Sequence, residues 1–154
     1  KLQSKKTTRG LWRILMQRRD KILRSSFSKI SPLSFPRIYG KKGSQSMCVK
    51  DLALTSDIKT VKGSFYGARA WQEVSLWKRD LAPLKQVGRD TLCLDMPVSK
   101  ATAGPVYVIV DVFVRRKGQE RVPPLRVHLY YLPNGTYRVV GLQRPYEDSL
   151  PGEE

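Results

Sequence analysis

The chain has 154 residues, 40% of them hydrophobic, and a mean hydropathy of −0.41, which excludes a predominantly disordered polymer and bounds the answer at one domain plus a tail. A formal net charge of +16 directs attention to an anionic partner, nucleic acid or an acidic membrane surface. Residues 1–50 hold fourteen Lys or Arg against one acid, Asp20, for a net of +13, and the rest of the chain nets only +3, so the charge belongs to the first third and not to the fold.

The first residue is Lys1 and not Met, as expected of a fragment, a processed product or an incompletely observed protein. From Thr7 and Thr8 onward, Trp12, Leu15, Met16, Leu23, Phe27 and Ile30 recur at three- and four-residue steps, which predicts a basic amphipathic helix over about 9–30. Ser31-Pro32 should end it, because the residue before proline is pushed out of the α region. Residues 31–46 (SPLSFPRIYGKKGSQS) mix two prolines, two glycines, four serines and three bases, a composition expected of an irregular linker. The arm is therefore 1–46. A short helix is expected over 47–60, with Ser46 as its N-cap.

From Gly63 the hydrophobic period changes to two, and six strands are expected at about 64–75, 83–88, 91–97, 105–116, 122–132 and 136–143. The 105–116 run is the most informative: Val106, Val108, Val110, Val112 and Val114 fill one face, and Tyr107, Ile109, Asp111, Phe113 and Arg115 the other, as befits a central strand. Pro133-Asn134-Gly135 marks a tight hairpin turn, and Pro123-Pro124 a bulge or sheet edge. The expected fold is mostly β, a six-stranded antiparallel sandwich or partly open barrel with a basic N-terminal helical arm. An α+β sheet with one packed helix is the alternative. The division is arm 1–46, β-rich domain 47–144, and acidic tail 145–154 that should fray.

Catalysis needs tuned nucleophiles or acid–base pairs, and one histidine, two cysteines and scattered carboxylates offer few. A four-residue turn at 117–120 would set Arg116 opposite Arg121, Asp111 opposite Arg126 and Ile109 opposite His128. Asp111, Arg126 and His128, joined by Arg138, would then make a polar patch, most simply a lightly covered sheet face with surface ion pairs. Cys93 is expected to be a small buried residue, and Cys48 and Cys93 to be reduced thiols, which favours a reducing compartment or an organelle over secretion. No metal-ligand spacing, phosphate-cradling loop or nucleophile motif is present, so neither cofactor nor metal is expected and the chain reads as non-enzymatic.

The arm carries the one functional signal. Lys5, Lys6, Arg9, Arg13, Arg18, Arg19, Lys21, Arg24, Lys29, Arg37, Lys41 and Lys42 interleave with Trp12, Phe27, Phe35 and Tyr39, a mixture suited to neutralising phosphates and stacking on exposed bases. The leading expectation is a binding module whose arm engages RNA or DNA within a larger protein assembly. The alternatives are a β domain delivered to an organelle by a transit-like segment, or one held at an anionic membrane surface by its amphipathic helix.

Overall fold

The computed structural model describes residues 2–55, 63–72, 77–98 and 103–145. Helix α1 spans Leu2–Phe27. Among the described residues nine strands follow: β1 Leu33–Lys41, β2 Ser44–Asp51, β3 Ser64–Gln72, β4 Trp77–Asp80, β5 Lys85–Gln86, β6 Thr91–Asp95, β7 Val106–Arg116, β8 Leu125–Tyr131 and β9 Tyr137–Gln143, with a one-turn helix α2, Leu52–Thr55, after β2. They form two antiparallel sheets, ordered β1-β2-β6-β5 and β4-β3-β7-β8-β9, that do not close into a barrel. The mostly β expectation therefore holds, with more strands than the six expected, and the α+β alternative does not form.

The core lies between the sheets. Met47, Val49, Leu92 and Leu94 enter it from the four-stranded sheet, and Ala68, Ala70, Val108, Val110, Val112, Leu125, Val127 and Leu129 from the other. Strand β7, flanked by β3 and β8, is central as its valine pattern requires, and Val110 is fully buried. At the far end the Leu132 carbonyl accepts from Gly135 N–H at 2.8 Å, and Gly135 takes the positive φ of 79° that the Pro-Asn-Gly signal demands.

Several boundaries differ from expectation for identifiable reasons. Helix α1 stops at Phe27 and not near Ile30, because Ser25, Ser26 and Ser28 redirect the last turn: Ser28 Oγ donates to the Ser25 carbonyl at 2.8 Å. The segment expected to be a linker is a strand pair, with a bulge between Ser34 and Arg37 accommodating Pro36 and a turn at Lys42-Gly43. Ser46 therefore lies in β2, and the N-cap role falls to Asp51, whose Oδ1 accepts from Ala53 N–H at 2.9 Å. Strand β5 shrinks to two residues after Pro83, β6 stops before Met96-Pro97, and β8 begins only after Pro123-Pro124, since proline offers no ladder donor. Residues 56–60 of the expected helix, 73–75 of the expected third-strand extension, and 146–154 of the acidic tail lie outside the described residues.

The two cysteines are also not free thiols. Cys48 and Cys93 face each other across β2 and β6 and form a disulfide, on the side of the sheet opposite the buried Leu92 and Leu94. Cys93 is half-buried on an outer face and is not a core residue.

Candidate functional site

Four constellations concentrate chemistry. The first is α1, which carries Lys5, Lys6, Arg9, Trp12, Arg13, Arg18, Arg19, Lys21, Arg24 and Phe27, with Lys29 in the turn that follows. None of residues 7–27 is buried. Leu11, Trp12, Leu15, Ile22 and Leu23 fall within an arc of about 120° at about 100° per residue, and Arg9, Arg13, Lys21 and Arg24 fall in the opposite arc. Trp12 and Ile22 are each 64% exposed. Arg19 interrupts the apolar arc and is tied to Asp20 at 2.6 Å. Among the described residues, no helix is long and apolar enough to cross a membrane.

The second lies on the outer face of the four-stranded sheet, where β1 brings Phe35, Arg37 and Tyr39 together over β2 and β6. They line an open groove of about 360 Å³ with Lys50 and Thr91, above Cys48. Phe35 adopts φ 52° immediately before Pro36. A bulky residue pays about 1–3 kcal/mol for such a conformation, and a following proline disfavours it further. Lys41 ends β1, and Lys42, in the turn, lies against Gly135. The sixteen residues singled out in the arm thus divide between a helix with its following turn and the β1 strand with its hairpin turn.

The third is the patch on the outer face of the five-stranded sheet. Asp111 opposes Arg126, and Ile109 opposes His128, in the expected register, although the ladder ends at Val112–Leu125, short of the expected Arg116–Arg121 pair. Arg126 donates twice to Asp111, at 2.8 and 3.0 Å, and its guanidinium lies 4.7 Å from the Trp71 ring centre. Trp71 Nε1 donates to Asp111 Oδ2 at 3.1 Å, and a hydrogen bond joins the Tyr107 hydroxyl to His128 Nδ1. Arg126 is buried, so this is a desolvated, mutually satisfied cluster and not the surface ion pair expected. Arg138 pairs with Tyr130 on the neighbouring strand and stays exposed.

The fourth has no signal in sequence periodicity. Asp51, fully buried at the end of β2, accepts from Arg116 Nη2 at 2.7 Å and from the Tyr66 hydroxyl at 2.8 Å. It thereby fastens one sheet to the other, and burial together with the Asp51 charge pushes the Tyr66 hydroxyl up to about 12. Its partners lie 15 and 65 residues away, too far for local pattern to reveal. Among the described residues, no three His, Cys, Asp or Glu side chains gather in a way that could hold a metal ion. Set against protein-family models, curated proteins and solved structures, the chain matches none.

Proposed function

We propose that this chain is a non-enzymatic binding module seated on an anionic membrane surface by α1. One observation carries the reading: a helix with none of residues 7–27 buried holds an apolar arc including a tryptophan on one side and four bases on the other. A helix so divided lies in the plane of a lipid interface, its apolar side chains among the acyl chains and its cations at the headgroups. Phosphate contacts alone would leave Leu11, Leu15 and Ile22 in water, which is why the geometry favours lipid over the RNA or DNA partner expected from charge and aromatics. The Cys48–Cys93 bridge supports an oxidising compartment, which counts against an intracellular nucleic acid as the partner. The non-enzymatic part rests on the Asp111–Arg126 and Tyr107–His128 groups, which are satisfied by one another.

Flotation of the whole chain with phosphatidylglycerol–phosphatidylcholine vesicles, against pure phosphatidylcholine, tests the reading. The chain should float with the anionic vesicles only, and Leu15→Gln with Ile22→Gln should weaken binding at least about tenfold, since two apolar side chains lose their burial. Steeply salt-dependent RNA binding with no flotation would replace the lipid surface with nucleic acid.

A further inference from the structure

The groove beside β1 combines features that packing alone does not require. Phe35 holds a left-handed backbone conformation ahead of a proline, yet the residue is 58% exposed, so the strain is not offset by burial. Tyr39, 53% exposed, stands on the same strand, and Arg37 lies between the two along β1. Arg37 has no ion-pair partner among the described residues, whereas Lys50 is held by Asp90 at 3.4 Å and Thr91 Oγ1 donates to Asp90 at 3.0 Å. The floor is therefore fixed by the Asp90 contacts and by the disulfide that joins β2 to β6, and one guanidinium is left to meet a ligand.

We propose that this groove binds an aromatic anion, a single ring carrying a phosphate or a carboxylate. The guanidinium supplies a planar fork for two oxygens of the oxyanion, a geometry that lysine does not offer. Phe35 and Tyr39 line the same groove, where an aromatic body gains contact area against their rings. A volume of about 360 Å³ suits a small ligand and is at the lower end of ligand pockets. A floor fixed in advance lowers the ordering cost of binding. The site is independent of α1 and of any membrane role.

Titration of the ¹⁵N-labelled whole chain with phenyl phosphate, inorganic phosphate and benzyl alcohol, followed by amide shifts, tests it. Phenyl phosphate should shift the amides of Arg37, Tyr39, Lys50 and Thr91 saturably, and the other two probes should bind at least about tenfold more weakly. Arg37→Gln, at an exposed position, should keep the spectrum of the folded chain and raise Kd at least about tenfold. Phe35→Gly should melt no lower than the parent, because glycine accepts the positive φ, while losing affinity. Equal response to phenyl and inorganic phosphate, shifts confined to α1, or a Phe35→Gly variant that melts lower and binds phenyl phosphate unchanged would each overturn the proposal.

Discussion

On the outer face of the five-stranded sheet, Asp111 accepts from both Trp71 and Arg126, and Tyr107 meets His128; on the outer face of the four-stranded sheet, Arg37 and Tyr39 stand exposed beside a strained Phe35. Both faces mix aromatics with charge, so composition does not separate them. Satisfaction does. A face that has closed its own hydrogen bonds stabilises the fold and has little left to offer a partner, whereas one that leaves a guanidinium unpaired keeps its interaction energy for something else.

The two faces share one core, so the most severe change removes both. Val110→Asp places an unpaired carboxylate between the sheets, at a cost of several kcal/mol against a total stability of about 5–15 kcal/mol, and the variant should be insoluble on expression. A soluble, cooperatively melting variant would show that the core is not where it is placed. Next in size, Asp111→Ala strands the buried Arg126 guanidinium and should cost about 3 kcal/mol in urea unfolding, while Arg37→Gln on the open face should stay within about 0.5 kcal/mol. Equal costs would erase the distinction between the faces.

The smallest effect is a pH dependence. Burial, reinforced by Asp51, raises Tyr66 to about 12, and burial, reinforced by Tyr131, raises Tyr137 to about 12, from an ordinary 10.0. Above that ordinary value the unfolded chain releases these protons first, so the stability tied to the neutral hydroxyls is fully present below about pH 10 and is lost as pH rises through 12. Melting temperatures should fall across that window, and Tyr66→Phe with Tyr137→Phe should flatten the fall. An unchanged slope in the double variant would remove these hydroxyls from the account.

Much of the five-stranded sheet is legible in the sequence because its signals are local: valine alternation names the central strand, and a single register sum places Asp111 opposite Arg126 and Ile109 opposite His128. The four-stranded sheet is not legible in the same way. Pro36, Gly40, Gly43 and the serines that read as a linker are what a bulged hairpin needs; Gly40 and Gly43 adopt φ 98° and 77°, and a Cβ at Gly40 would stand 2.2 Å from the Ser44 carbonyl oxygen. With β1 and β2 unseen, nothing sets Cys48 opposite Cys93, and the disulfide stays hidden as well. The cations and rings of the arm are visible in composition, but their division between a helix and a groove depends on tertiary placement.

Asp51 also bears on the order in which the chain folds. Its cap to Ala53 spans 2 residues, its bond to Tyr66 spans 15, and its bond to Arg116 spans 65. The cap can form as soon as β2 meets α2, but the guanidinium arrives only when β7 has docked, and a carboxylate gives up its water at great cost until then. Shedding that hydration shell is thus tied to a contact of long sequence separation, the kind that slows folding toward milliseconds or longer. Closure of the two sheets is expected to be a late event, gated by the dehydration of one carboxylate.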